Sequence, residues 1–324
     1  MCRSFFRSLA WLFCLTTLVA AGLSGCARQE AYGILDEANE HEALGREVQA
    51  IEAYHRAAEI APDDAYLQRV LGRAFVRRRD YDRAAEALQA AIDLEAGYLE
   101  AYQDLIAVAL RQDDTDAAMA WMERAAQSVP NYAPIYEQLV AFYMVNRQFE
   151  DALELLGRLD EKFPGAAWVP FHRGGVLRQL GQTEEALAAY NLARKLKPDL
   201  PDLWAEIGNL HFDLAAYGEA EHAFERAIEQ DPGDHRSMNN LAWTYAVRGR
   251  NLEIGVELSR ASLRLREEAS YMDTLAELYY KQGDRKRALT WIRRAIRITS
   301  DSEDLMDHLQ SQLERFRRAP YGRT

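Results

Sequence analysis

The chain has 324 residues, a formal net charge of −12 and 48% apolar residues, a composition ordinary for a globular protein. The acidic excess argues against general nucleic-acid binding, because such binding needs clustered lysine and arginine on an accessible face. Eighteen glycines and nine prolines exclude a collagen-like or low-complexity chain.

The N-terminal stretch has the pattern of a targeting segment. Arg3 and Arg7 precede an apolar run at residues 9–23, which is too short to span about 30 Å of hydrocarbon comfortably as a mature helix. The sequence LSGC at residues 23–26 resembles the lipobox of bacterial lipoproteins. That resemblance implies cleavage before Cys26 and its modification with diacylglycerol and a fatty acid such as palmitate. The alternative is an ordinary secretory signal with an incidental cysteine.

The lipoprotein resemblance also carries an expectation about location. Residues 1–25 are the expected signal peptide, and residues 26–30 the expected lipidated cysteine and short tether. Ala27 is similar to the residues found in lipoproteins sent to the outer membrane, because the Asp that signals inner-membrane retention is absent. We therefore expect a protein anchored to the periplasmic face of the outer membrane, with the inner membrane as the alternative. Cys2 and Cys14 lie in the expected signal peptide, so the expected mature chain keeps only Cys26 and no disulfide is expected.

Residues 31–302 repeat a pattern of two amphipathic helices joined by a turn every 34 residues. The starts of the repeats are Ala31, Ala65, Leu99, Ala133, Ala167, Pro201, His235 and Ala269, and no insertion or deletion is needed to keep this spacing. Positions 20 and 27 are each alanine in seven of the eight repeats, with Ile254 and Leu159 as the exceptions. Small side chains there predict close approach of the paired helices.

The repeat at residues 201–234 shows the pattern most fully. Its Trp, Gly, Ala, aromatic, Ala and Pro residues at positions 4, 8, 20, 24, 27 and 32 are Trp204, Gly208, Ala220, Phe224, Ala227 and Pro232. This pattern resembles the tetratricopeptide repeat. The resemblance implies an all-α fold, a right-handed α-α superhelix of eight helix-turn-helix repeats forming a solenoid.

A last amphipathic segment follows the repeats. Leu305, Leu309, Leu313 and Phe316 form one apolar stripe, which predicts a capping helix within residues 303–324. A cap of this kind covers the apolar face that the final repeat leaves exposed.

In tetratricopeptide domains the first helix of each repeat lines the concave groove, usually through positions 2, 5, 9, 12 and 13. That resemblance places large apolar residues in or near the groove, namely Met144, Trp168, Phe171, Phe212, Trp243, Val247 and Tyr280. An exposed apolar patch usually marks a partner site, and an extended peptide or an amphipathic helix would fit it. The alternative is that several of these residues pack against the next helix.

A second candidate site is a row of arginines. Arg69, Arg73 and Arg77 are four residues apart and lie along one helix face, and Asn39 stands at position 9 of the preceding repeat. The set resembles the groove of some tetratricopeptide domains that holds a peptide carboxylate, although the lysine and second asparagine of that clamp are missing. Arginine suits carboxylates well. The alternative is a solvated face balanced by Asp36 and Asp104.

The sequence contains no recognisable catalytic or cofactor motif. A phosphate-binding glycine loop, HExxH, Gly-x-Ser-x-Gly and CxxC are absent, and the histidines lack metal-ligand spacing. The acidic turn of Asp113, Asp114 and Asp116 lacks the Gly and Glu of a calcium loop. We therefore expect neither an enzyme nor a cofactor or metal site.

The leading hypothesis is an envelope interaction scaffold, similar to the tetratricopeptide lipoproteins of the type IV pilus pilotin, NlpI and exopolysaccharide-export accessory groups. Its expected partners are envelope proteins, with the membrane contacted through the lipid. A glycan- or lipid-binding protein using the aromatic groove is the alternative, and a cell-wall enzyme subunit is a third hypothesis.

Overall fold

The computed structural model describes residues 26–299 and 302–318, and within them the chain forms helices and no strand. The expected signal peptide at residues 1–25 and the tail at residues 319–324 lie outside this described part. The helices are α1 (26–43), α2 (Glu47–Ile60), α3 (Ala65–Arg77), α4 (Tyr81–Leu94), α5 (Leu99–Arg111), α6 (Thr115–Ser128), α7 (Ala133–Val145), α8 (Phe149–Lys162), α9 (Trp168–Gln179), α10 (Thr183–Leu196), α11 (Leu203–Asp213), α12 (Tyr217–Gln230), α13 (His235–Arg248), α14 (Leu252–Leu265), α15 (Ala269–Lys281), α16 (Arg285–Ile298) and α17 (Glu303–Arg318). The prediction of an all-α fold is confirmed.

The chain divides into two compact units, Met1–Asn146 and Arg147–Thr324. The N-terminal unit contains α1 to α7, and the C-terminal unit contains α8 to α17. Within each unit, consecutive helices from α2 onward pack against one another, and the first helices of neighbouring repeats also touch, as α13 and α15 do.

The turn inside each repeat contains one residue in the left-handed conformation. It stands at position 15 every time, with φ between 56° and 82°. These residues are Gly45, Arg79, Asp113, Arg147, Gly181, Ala215, Gly249 and Gly283. Glycine adopts this conformation without steric strain, whereas the other four side chains each cost about 1 kcal/mol. The left-handed residue at position 15 is therefore common to all eight turns, and the turn of the seventh repeat adds a second one, Asn251.

Small residues on the paired helices form the contact between them. At position 20, the alanines from Ala84 to Ala220 are fully buried. Glycines at position 8 lie against the side chain at position 24, and a Cβ on Gly72, Gly174 or Gly208 would come within 2.6 Å of that side chain. These contacts confirm the prediction of close helix approach.

The seventh repeat departs from the uniform spacing expected from the sequence. Helix α13 is one residue longer than α3 or α5, and α14 accordingly starts one residue late, after left-handed Asn251. As a result Ile254, expected at a core position, is 53% exposed, and Gly255 takes its place against Leu278. The 34-residue spacing of the repeat starts is kept, with α13 at His235 and α15 at Ala269, but the placement of Ile254 and Ala261 at the close-packed positions 20 and 27 was wrong.

A shorter connection restores the spacing before the next repeat. Three residues, 266–268, join α14 to α15, whereas four residues, 95–98, join α4 to α5. Ser262 is buried where the constant spacing placed Ala261, and its hydroxyl donates a hydrogen bond to the Ser259 carbonyl oxygen at 2.8 Å. One residue gained and one lost leave the total at 34.

The two ends of the described chain are helical. Residues 26–30, expected as a tether, continue into α1, where Arg28 forms an ion pair with Asp64 at 3.1 Å. At the other end, Leu309 and Phe316 of α17 are fully buried in the core of the C-terminal unit, as the stripe predicted. Of the helices seen in residues 26–299 and 302–318, none combines the length and apolarity needed to cross a bilayer.

Candidate functional site

The arginine row lies on α3 in the N-terminal unit, and its first member is already engaged. The Nε of Arg69 donates to the Asp104 carboxylate on α5 at 2.7 Å. Its guanidinium also lies over the ring of Tyr98, 5.7 Å from the centroid. Arg69 is thus held in a half-buried ion pair with Asp104. Its guanidinium is already neutralised and is not free to bind a ligand carboxylate.

The last member of the row is engaged as well. Arg77 donates to Glu42 at 2.9 Å and lies over the buried ring of Tyr54. The Tyr54 hydroxyl in turn donates to Asn39 Oδ1 at 2.9 Å and to Glu42. Burial, with the hydrogen bond to Glu42 as the next cause, raises the pKa of Tyr54 to about 12. This network fixes Asn39 and Arg77 in place.

Arg73, between the other two, is the free cation of the row. It is exposed and has no acidic partner among residues 26–299 and 302–318. It shares position 9 with Asn39 on the neighbouring first helix. The structure therefore reduces the predicted three-arginine grip to one free guanidinium between two that are already neutralised.

The predicted apolar groove residues fall in both units. Met144 lies near the end of α7 in the N-terminal unit, whereas the other six lie on α9, α11, α13 and α15 in the C-terminal unit. Val247 is 37% exposed, and the remaining six are half-buried. Their role in partner binding remains a prediction.

Ring contacts account for much of this partial burial. Trp168 packs on Phe163, with ring centroids 5.8 Å apart, and Phe171 packs on buried Tyr190 at 6.0 Å. Tyr280 stacks on Phe316 of the capping helix at 4.6 Å. Phe212 contacts Tyr217, and Trp243 packs against the core that surrounds Met272. Neighbouring aromatic side chains and the cores of the repeats therefore cover part of each of these rings.

Polar residues on the same first helices were not singled out from the sequence. The side chain of Asn240 donates to Asn209 across two repeats at 2.9 Å. Asn239 and Asp273, both at position 5, are buried, and each leaves one oxygen without a hydrogen-bond partner in the described structure. The sequence did contain an indication of them, since polar residues stand at groove positions of these helices. A search restricted to large apolar residues does not find them.

The capping helix covers part of this polar row. The ring of His308 lies 2.9 Å from Asp273 Oδ2, and Arg315 pairs with buried Glu277. Burial raises the pKa of the Asp273 carboxyl above its ordinary value, and the contact with His308 opposes that shift. Helix α17 therefore supplies charge partners to α15 in addition to apolar cover.

The acidic turn near residue 114 has a structural role. Asp114 accepts a hydrogen bond from the backbone N–H of Ala117 at 2.9 Å and so caps α6. Within the described ranges, no three histidine, cysteine or acidic side chains are placed to hold a metal ion together.

Models of the tetratricopeptide repeat match this chain over most of its repeat region, from residue 69 to residue 300. The matched segments are residues 69–133, 109–173, 174–215, 201–234, 223–254 and 269–300. Together they cover more than half of the chain, which therefore belongs to the tetratricopeptide repeat family. Repeats of this family are generally protein–protein interaction scaffolds and typically lack catalytic activity.

Individual relatives share the repeats at low identity. The chain is 23% identical over 198 residues to the human protein named O-mannosyl-transferase TMTC1, and 26% identical over 198 residues to bovine BBSome complex member BBS4. Both alignments cover 61% of this chain, but only 19% and 38% of the respective relatives. The chain thus spans well under half the length of either relative.

Two solved structures show the same fold. The Cut9–Hcn1 hetero-tetramer of the APC/C matches with a TM-score of 0.60 and 14% identity, over 87% of this chain and 55% of that chain. A tetratricopeptide repeat protein from Parabacteroides merdae matches with a TM-score of 0.57 and 18% identity, over 77% of this chain and 98% of that chain. At such identities the likeness concerns the fold alone.

Proposed function

We propose that this protein is a non-catalytic scaffold of the bacterial cell envelope that binds segments of other envelope proteins on the first helices of its repeats. The observation that carries the proposal is Arg73, an exposed cation on α3 without an acidic partner in the described chain. The occupant we propose there is a partner carboxylate, either a chain terminus or an acidic side chain.

Rigid surroundings make Arg73 suitable for that role. Arg69 and Arg77, one turn away on either side, are fixed by Asp104 and Glu42. Because Asp104 and Glu42 neutralise Arg69 and Arg77, an incoming carboxylate is attracted mainly to Arg73. A fixed helix loses little conformational entropy when it binds, so the cost of ordering falls mainly on the partner. The amide of Asn39, oriented by Tyr54, stands at the matching position of the neighbouring helix.

Membrane attachment is the second part of the proposal. Cys26 is exposed and follows the lipobox-like residues 23–25. Acylation there would hold the protein at the periplasmic face of the outer membrane, where tethering raises the effective concentration of membrane partners. A scaffold in that place would support assembly of a secretion, pilus, cell-wall or polysaccharide-export complex.

Binding is tested with the lipidated protein purified from detergent-solubilised envelopes. Partners captured with it are identified, and the C-terminal peptide of each is then titrated as the free acid and as the amide. We expect the free acid to bind and Arg73→Ala to weaken it roughly tenfold or more. The matched control is Arg46→Ala, which removes another exposed arginine of the same unit. Equal affinities of acid and amide, or of Arg73→Ala and the unaltered protein, would reject a carboxylate site at Arg73.

Anchoring is tested separately by Cys26→Ala. We expect the altered protein to leave the membrane fraction or to keep its signal segment, while density-gradient separation should place the unaltered protein with outer-membrane markers. Normal cleavage with unchanged membrane retention in Cys26→Ala would rule out the lipid anchor.

A further inference from the structure

A cleft in the C-terminal unit lies between α14 and α16, with α15 at its base. Its volume is about 300 Å³, at the lower end of the range for ligand pockets. None of its lining residues stands at groove positions 2, 5, 9, 12 or 13 of the repeat. The cleft is thus separate from the surface on which the proposed function rests.

The wall of the cleft is cationic. Arg260 and Arg264 come from α14, and Arg294 comes from α16. Arg294 is bound to Glu267 at 2.7 Å. Three guanidinium groups therefore face one lining carboxylate. Arg264 has no acidic partner in the described structure, and Arg260 has only the long contact with Glu257 at 3.8 Å, which does not line the cleft.

The floor of the cleft is apolar. Leu263, buried Met272 and half-buried Trp291 line it. The Arg294 guanidinium lies over the Trp291 ring at 5.2 Å, which keeps the ring in a fixed orientation. A ligand that fills this space must carry an apolar group as well as negative charge.

The cationic surface extends beyond the cleft along α16. That helix carries six basic side chains and no acidic one, although the whole chain has a net charge of −12. Lys286, Arg293 and Arg297 are exposed and have no ion-pair partner in the parts of the chain that the structure describes. Basic residues without partners on one helix of an acidic protein form a local field that attracts anions.

We propose that this cleft is a second docking site, which takes an acidic segment of a partner protein with one aromatic or aliphatic side chain. The apolar side chain enters between Leu263, Met272 and Trp291, and flanking carboxylates pair with Arg260 and Arg264. A free phosphate has no apolar group that could contact the apolar floor of the cleft. A flat lipid surface does not enter a recess of this kind. Because the site is separate from the groove, one molecule can hold two partners at once.

The test uses the full mature protein and a fluorescein-labelled peptide in which Glu-Asp pairs flank a single phenylalanine. Control peptides replace the acids by Gln-Asn or the phenylalanine by serine. We expect the acidic peptide to bind, and Arg260→Glu with Arg264→Glu to weaken it on the order of tenfold. A rise in salt should weaken it as well. The matched control is Arg46→Glu with Arg158→Glu, which changes the net charge equally at exposed arginines elsewhere.

Each other outcome overturns the proposal. Equal binding by both double variants would show non-specific attraction to charge. Binding to phosphatidylglycerol vesicles without binding to the peptide would assign the cleft to lipid. Self-association in sedimentation experiments that Arg264→Glu abolishes would assign it to a second copy. Arg73→Ala should leave peptide binding unchanged, so failure here and failure of the proposed function are distinguishable.

Discussion

The contact between Gly208 on α11 and Phe224 on α12 permits a quantitative prediction. A Cβ at residue 208 would lie 2.6 Å from Cδ1 and Cε1 of the phenylalanine ring and 3.0 Å from Cζ. Ordinary carbon contacts are about 3.5–4.0 Å, so ring and helix must separate by roughly 1 Å. Phe224 is fully buried beside Leu241 and Tyr245, which leaves the ring no free space.

Two effects of the substitution Gly208→Ala oppose one another. Alanine favours the helix by about 1 kcal/mol. Overpacking costs about 1–3 kcal/mol, and a fully enclosed ring falls at the upper end of that range. We therefore expect the free energy of unfolding to fall by about 2 kcal/mol, measured by urea unfolding followed by far-UV circular dichroism.

The same change elsewhere in the chain isolates the steric effect. Gly157 lies inside α8, and a Cβ there would meet nothing within 4 Å, so Gly157→Ala should stabilise the protein by about 1 kcal/mol. Combining Gly208→Ala with Phe224→Leu should cost less than the sum of the two single changes, because the clash involves the ring. Stabilisation by Gly208→Ala, or strict additivity of the pair, would refute the steric argument.

Three further substitutions test other features of the fold. Ala215→Gly should raise the free energy of unfolding by about 1 kcal/mol in urea titrations, because residue 215 has φ 56°. Phe316→Ala, which removes the buried ring stacked on Tyr280, should cost about 3 kcal/mol and speed amide exchange in α16. Burial lowers the pKa of His172, so the unfolded chain binds its proton more readily, and stability falls as pH drops below 6.5. His172→Gln should flatten that decline in urea midpoints between pH 7 and 5, whereas His55→Gln at an exposed residue should not; equal slopes would contradict the burial argument.

The repeats were predictable because close packing of two helices requires small residues at the points of contact. An alanine such as Ala220 or a glycine such as Gly208 is required wherever two helices approach closely, and the requirement recurs with the repeat. The one-residue shift that exposes Ile254 and buries Gly255 was not predictable in this way. The extra residue in α13 is compensated by a shorter connection before α15. Constant spacing between repeats conceals a change that begins and ends within one repeat.

The candidate sites were less predictable for a different reason. Spacing placed Arg69, Arg73 and Arg77 on one face of α3, but it could not show that Asp104 and Glu42 neutralise two of them. Such pairs join residues 35 positions apart and depend on side-chain rotamers. In the same way, the partial cover of Tyr280 depends on how α17 docks.

The one-residue shift within the seventh repeat has a consequence for how such a chain tolerates change in length. The shorter connection before α15 restores the 34-residue alignment of the later helices. An insertion compensated in this way affects only the hairpin in which it occurs. Lengthening a first helix should therefore be harmless in other repeats when the following connection loses one residue, and should disturb every later hairpin when it does not.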